Sequence, residues 1–170
     1  MIFLIGMPGA GKTYWGSKIA EAYQLPFVDL DAYLEQREEM SVSALFARYG
    51  EDSFRGRERN ALKSIIYNHP KNTIVACGGG TPLFFDNMLQ MKLAGCVIFL
   101  DAELETLQQK LAMDEQTRPL LRQTKSLNMQ LKKLLEDRKP FYEEADHIVE
   151  VETLSVATFA EIISECTNYQ

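Results

Sequence analysis

The order of apolar runs in this chain predicts a three-layer α/β domain, a five-stranded parallel sheet with helices on both faces. Three observations lead there. Short β-branched or apolar runs recur at 2–5, 26–29, 73–77, 96–100 and 147–151. Longer stretches with helical spacing lie between them. The first run feeds through a glycine-rich loop directly into the first helical stretch. Strands alternating with helices imply parallel pairing, with both sheet faces covered by the crossovers. Ligands of such a sheet bind beyond the carboxyl ends of the strands. The chain has 170 residues, 46% of them hydrophobic, a size suited to one domain with a substantial core. No internal repeat, low-complexity tract or linker divides residues 1–170.

Taken in order, Ile2-Phe3-Leu4-Ile5 is a buried strand, and 12–23 a helix entered from the glycine loop. Phe27-Val28-Asp29 ends the second strand. Helical spacing follows at 31–38, 41–48 and 52–68, and the run at 73–77 stops at three consecutive glycines. Pro82 is expected to open a helix over 82–93. Val97-Ile98-Phe99-Leu100-Asp101 fits an apolar strand ending in a metal-binding Asp. Asp101 also precedes the helical segment from Glu103, however, and the helix-cap reading is preferred. Helices are further expected at 103–112, 127–138 and 155–167. Residues 113–126 are polar, irregular and interrupted by Pro119. That is where a closing lid would lie, an ordinary surface loop being the alternative.

Gly6-Met7-Pro8-Gly9-Ala10-Gly11-Lys12-Thr13 spells G-x-x-x-x-G-K-T between strand and helix, the context a phosphate-binding loop requires. Backbone N–H groups there converge on phosphate oxygens at the positive end of a helix. Lys12 would reach the β- and γ-phosphates, and Thr13 would offer its hydroxyl to Mg²⁺. The chain carries 24 acidic and 18 basic residues, a net charge of −6. Nothing marks a surface for nucleic acid or an anionic membrane. An acidic chain that binds ATP must gather its positive charge locally, which predicts arginines clustered in one site.

Asp29 and Asp31, two residues apart at a strand end, are expected on one side of the sheet. One would organise Mg²⁺ and its waters, the other a substrate hydroxyl; capping of the next helix by Asp31 is the alternative. In Phe54-Arg55-Gly56-Arg57-Glu58-Arg59, Arg55 and Glu58 share a helical face while Arg57 and Arg59 point to solvent. Spacing alone favours a solvated charged face there. Gly78-Gly79-Gly80 implies close backbone approach, a nest for an anion or else a tight turn. Arg118 in the lid would neutralise a transferring phosphoryl group, and Arg138 would clamp a carboxylate bidentately. His69 and His147 lack partners at ligand spacing and are expected as structural or surface residues.

Cys77, Cys96 and Cys166 form an odd, scattered set without C-x-x-C spacing. This argues against a disulfide framework or structural zinc and fits a reducing cytosol. Cys77 and Cys96 are expected as small core residues. With no cationic leader before an apolar segment and no membrane-length apolar run, a soluble cytoplasmic protein is expected. No feature points to an extended interface, so a monomer is expected.

Together GMPGAGKT at 6–13, DLD at 29–31, FRGRE at 54–58, GGGT at 78–81, RPLL at 118–121 and RKPFY at 138–142 resemble the shikimate kinase family, in the nucleoside-monophosphate-kinase-like group of P-loop proteins. The resemblance spans almost the whole chain and implies the P-loop kinase fold. It also implies transfer of the ATP γ-phosphate to shikimate, giving shikimate 3-phosphate and ADP on the way to aromatic amino acids. By it, Thr13 and Asp29 organise Mg²⁺, the latter through water. Asp31 engages the ring hydroxyls as base or orienter. Arg55, Arg138 and the backbone of Gly78, Gly79 and Gly80 hold the substrate, and Lys12 and Arg118 stabilise the phosphoryl group. Where family members carry an extra basic residue before the lid, this chain has Lys110-Leu111-Ala112-Met113, which leaves the adenine contacts unassigned. A gluconate-kinase-like enzyme is the nearest rival. A nucleotide switch would need D-x-x-G and N/T-K-x-D elements, which do not occur.

Overall fold

The computed structural model describes residues 1–113 and 124–168. The chain runs β1 (Ile2–Ile5), α1 (Lys12–Tyr23), β2 (Phe27–Asp29), α2 (Leu30–Glu38), α3 (Val42–Asn68), β3 (Ile74–Ala76), α4 (Asn87–Ala94), β4 (Cys96–Asp101), α5 (Leu104–Met113), α6 (Thr124–Tyr142), β5 (His147–Glu150) and α7 (Val156–Asn168). The five strands form one sheet in the order β2-β3-β1-β4-β5, with every pairing parallel. The expected fold class is the observed one.

Central strands of such a sheet must be apolar on both faces. Phe3, Leu4, Ile5, Ile74, Val75, Val97, Ile98 and Leu100 are all fully buried. Each such side chain contributes about 1.5–3 kcal/mol through burial. From β1 the chain crosses to β2 on one side, and from β3 it crosses to β4 on the other. The direction of winding therefore reverses between β1 and β3, which opens a crevice at their carboxyl ends.

Two boundaries differ from expectation, at α4 and α6, and the expected break between 48 and 52 is present. Residue 82 opens only a 3₁₀ turn, Thr81–Leu83, and α4 begins at Asn87. Asn87 is fully buried, and its amide closes the turn by donating to the Thr81 carbonyl at 2.9 Å. Gly50, at φ 77° and ψ 174°, breaks α3 between the two expected helical stretches. Helix α6 starts at Thr124 and continues past Pro140, which stands in its last turn. There the missing N–H removes a single helical bond. Of the expected lid, residues 114–123, Arg118 among them, lie outside the described residues. No helix among the described residues is long and apolar enough to cross a membrane.

Two expectations about single residues are corrected. Asp101 does not cap α5. It ends β4, and its carboxylate accepts from Lys139 Nζ at 2.9 Å. The Leu107 N–H bonds instead to the carbonyl of Glu103, which places the helix start two residues later. The cysteines are not all unpaired: Cys96, opening β4, and Cys166, in α7, form a disulfide across a Cα separation of 5.6 Å. A sequence separation of 70 residues carries no local spacing signature. Only the packing of the last helix onto the sheet brings the two sulfurs together. Cys77 is the buried free thiol expected.

Candidate active site

The loop after β1 wraps the amino end of α1. Its first turn depends on Gly6, whose φ is 138° and where a Cβ would lie 2.6 Å from the Leu100 carbonyl oxygen. No other residue fits that contact. Helix α1 begins at Lys12 with Gly11 as its cap. Lys12 folds back into the loop and donates from Nζ to the carbonyls of Gly6 and Met7, both at 2.9 Å. Burial pulls its ammonium down to about 8, a shift partly opposed by Asp31.

The two carboxylates meet differently from the expected strand alternation. Asp29 closes β2, whereas Asp31 is already in the first turn of α2. Asp29 is the helix cap: its Oδ1 accepts from the N–H groups of Asp31 at 3.0 Å and Ala32 at 3.2 Å. Its Oδ2 accepts from the Thr13 hydroxyl at 2.7 Å. Thr13 and Asp29 thus place two hard oxygens together at the mouth of the phosphate loop, the donor chemistry that suits Mg²⁺. Asp31, relieved of capping, faces the crevice. Burial pushes its carboxyl up to about 6, with the charges of Asp29 and Glu58 adding and Lys12 opposing.

Arg55 is buried rather than solvated. Its guanidinium lies 4.2 Å from the Phe84 ring centre and 5.0 Å from that of Phe54, and it donates to Glu58 Oε2 at 2.9 Å. Glu58, at 1% exposure, is among the most buried charges in the molecule. Its other oxygen accepts from the Thr81 hydroxyl at 2.7 Å. One carboxylate therefore fixes both the arginine and the turn after the glycine triplet. Gly80 lies against the arginine: a Cβ there would be 2.6 Å from each of the two terminal guanidinium nitrogens. Arg57 and Arg59 are not free in solvent either. Arg57 pairs with Glu38 and Arg59 with Asp86, each lying over an aromatic ring.

Arg138 arrives from α6. A Cβ on Gly79 would sit 3.1 Å from its guanidinium and 2.8 Å from the Pro8 ring. Tyr142, fully buried, anchors this end of α6 by donating to the Gly79 carbonyl at 2.6 Å. Burial pushes its phenol up. A cleft of about 340 Å³ joins the parts, lined by Pro8, Lys12, Thr13, Asp29, Asp31 and Gly79 among others.

The fold therefore gathers Lys12, Thr13, Asp29, Asp31, Gly78 and Gly79 around one cleft, with Arg138 against Gly79 and Arg55 against Gly80. Arg118 lies outside the described residues. Sequence reasoning missed Glu58 and Tyr142 as supports, although Arg55 and Glu58, three residues apart on a helix, already signalled a pair. Lys110 also enters the cleft, its Nζ 3.2 Å from where a Cβ on Gly11 would stand.

A sequence model of the shikimate kinase family matches residues 8–168. The chain belongs to the shikimate kinase family. The shikimate kinase of Phocaeicola vulgatus is 41% identical over 155 residues, covering 90% of this chain and 87% of that protein. The 1.7 Å crystal structure of shikimate kinase from Bacteroides thetaiotaomicron aligns with a TM-score of 0.90 at 35% identity, covering 96% of this chain and 97% of that one. Shikimate kinase from Acinetobacter baumannii in complex with shikimate aligns at 0.84 with 30% identity, covering 96% and 90%. Membership in the shikimate kinase family makes this chain an ATP-dependent kinase.

Proposed function

We propose that this chain transfers the γ-phosphoryl group of ATP to the 3-hydroxyl of shikimate, giving shikimate 3-phosphate and ADP. One observation carries the proposal: Asp31, Arg138 and Arg55 lie against Gly78, Gly79 and Gly80 in turn, and Gly79 abuts Pro8 of the phosphate loop. A small hydroxylated acid offers little apolar surface, so its affinity must come from charge-assisted hydrogen bonds. Arg55 and Arg138 grip the carboxylate, and Asp31 accepts from the hydroxyl that attacks the γ-phosphorus. The hydroxyl proton leaves toward Asp31 as the bond to ADP breaks. The loop amides and Lys12 hold the phosphates, and Arg118 completes their neutralisation. Thr13 and Asp29 would hold Mg²⁺, which when bound would neutralise negative charge on the transferring phosphates. Consumption of ATP in aromatic amino-acid synthesis fits the cytoplasm.

A coupled ADP-release assay with Mg²⁺ and ATP tests the proposal. Release that saturates with shikimate is expected; no shikimate-dependent release, or faster turnover of gluconate, overturns it.

Two substitution tests follow from the assigned roles. Asn caps a helix as well as Asp does. Asp29→Asn should therefore leave the melting curve almost unchanged while lowering turnover about 100-fold. Asp101→Asn removes only a part-exposed pair with Lys139, worth less than about 1 kcal/mol, and should leave turnover intact. Comparing both variants at saturating substrate decides between them, and the opposite pattern would return the metal role to Asp101. Arg138→Ala should raise the KM for shikimate by about 30- to 100-fold, the loss of one or two charged hydrogen bonds. ATP affinity measured by calorimetry should hold within about twofold; an equal loss of ATP affinity contradicts the assignment.

A further inference from the structure

Opposite the crevice, at the amino ends of the strands, lies a second cluster that the kinase reaction does not use. We propose that Cys96, Cys166 and His147 form a redox-gated site for a soft divalent cation such as Zn²⁺, available when the disulfide is reduced. Cys96 opens β4, His147 opens the neighbouring β5, and Cys166 reaches them from α7. One ligand atom from each of the three lies within 4.8 Å of the others. Both cysteines are buried, and the three residues line one cleft of about 560 Å³. His147 is part-exposed, 3.7 Å from the carboxylate of Glu165; its nearness to the two cysteines comes from the fold and not from spacing along the chain.

The chemistry favours zinc over a hard ion. Two thiolates and an imidazole are a borderline-soft set, and a tetrahedral metal with Zn–S bonds of about 2.3 Å needs its sulfurs about 3.8 Å apart. Sulfurs freed from their covalent bond part to about that distance at van der Waals contact. Glu165 stands at Nδ1 of His147, where an outer carboxylate orients a ligating ring. Asp146 is committed elsewhere: its oxygens take Lys92 Nζ at 3.0 Å and the Val97 N–H at 2.9 Å. Two thiolates balance the charge of the metal, so the half-buried position carries no net charge. The fourth position opens to the cleft and takes water.

The exchange balances. A dithiol reductant gives two electrons and two protons to the Cys96–Cys166 bond and leaves as its own disulfide. Zn²⁺ then displaces the two thiol protons to solvent. Oxidised, the pair is a covalent staple between β4 and α7; reduced, the metal bridges the same two elements.

The test uses the full chain, reduced with a phosphine and freed of it without air. Titration with Zn²⁺ against a chromogenic chelator should give one bound ion per chain, and Cd²⁺ should give a sulfur-to-metal charge-transfer band. Cys96→Ser and Cys166→Ser should each weaken uptake on the order of 100-fold, and His147→Gln by about 10- to 100-fold. The air-oxidised chain should take up none. His147 is part-exposed, so His147→Gln reads the site without risk to folding. Absence of uptake by the reduced chain, uptake unchanged in His147→Gln, or equal uptake by the oxidised chain would each overturn the proposal.

Discussion

Replacing Asp31 with Asn is expected to lower kcat by about 10²- to 10⁴-fold, the range for losing a positioned proton acceptor, while making the protein more stable. The carboxyl is held near 6, above its ordinary 3.8. Its folded form therefore binds the proton more tightly than its unfolded form. Such a group costs stability above both values and nothing below about pH 4. The shift corresponds to about 3 kcal/mol at most. Lys12 loses an attractive partner in the variant, which takes back part of that. A net gain of about 1–2 kcal/mol is expected at pH 8, shrinking to zero by pH 4. Urea unfolding across that window measures it. In the parent enzyme kcat/KM should fall tenfold per pH unit below about 6, as Asp31 protonates. It should fall again above about 8, as Lys12 loses its charge. The variant should lose the acid limb alone. A variant as active as the parent, or one that keeps the acid limb, removes Asp31 from the reaction.

Truncating Glu58 to Ala is the second large effect. It removes the buried one of two carboxylates on the Arg55 guanidinium, leaving only the exposed Glu51 at 3.2 Å, and frees the Thr81 hydroxyl in the same step. Losing that charged hydrogen bond and the partner of the Thr81 hydroxyl costs about 2–4 kcal/mol, read as a shift in the urea midpoint. Glu58→Gln keeps one oxygen to accept from Arg55 and turns its amide N–H to the Thr81 hydroxyl, which accepts in place of donating, and should cost about 1–3 kcal/mol. Glu58 touches no substrate in the proposed arrangement; it is a positioning residue. Its signature is a rise in KM for shikimate in Glu58→Gln with ATP affinity unchanged. A Gln variant that weakens both ligands equally would mean that Glu58 supports the fold at large and not the acid-binding arginine.

The strands and the phosphate loop could be read directly because their signals are local: an apolar run, a glycine spacing, a lysine at the helix start. Asp29 and Asp31 were recognised as a pair for the wrong geometric reason. Strand alternation requires both to lie in β2, yet the helix begins between them and leaves the cap to Asp29. Spacing favours solvent for Arg55 because a helical stretch carrying three arginines within five residues is usually exposed. Its burial depends on Phe84, which follows the glycine turn and lies far away in sequence. The same limit hid the ion pairs of Arg57 and Arg59, the Lys139 partner of Asp101, and the meeting of Cys96 with Cys166. Each depends on which elements pack together, and no spacing along the chain records that. The shortened start of α4 had a cause that propensity does not weigh, the Asn87 amide closing the preceding turn.

The position of β1 in the middle of the sheet bears on the order in which the molecule can be built. Ile2 pairs with Ile74 on one side and Cys96 on the other, and Ile5 pairs with Phe99. Strand β1 precedes both of its neighbours in the chain and is flanked on both edges only once β4 has been made. Gly6 rests on the carbonyl of Leu100. Until that residue has left the exit tunnel, the nascent chain has no frame on which to hold a nucleotide, however early its signature motif was synthesised.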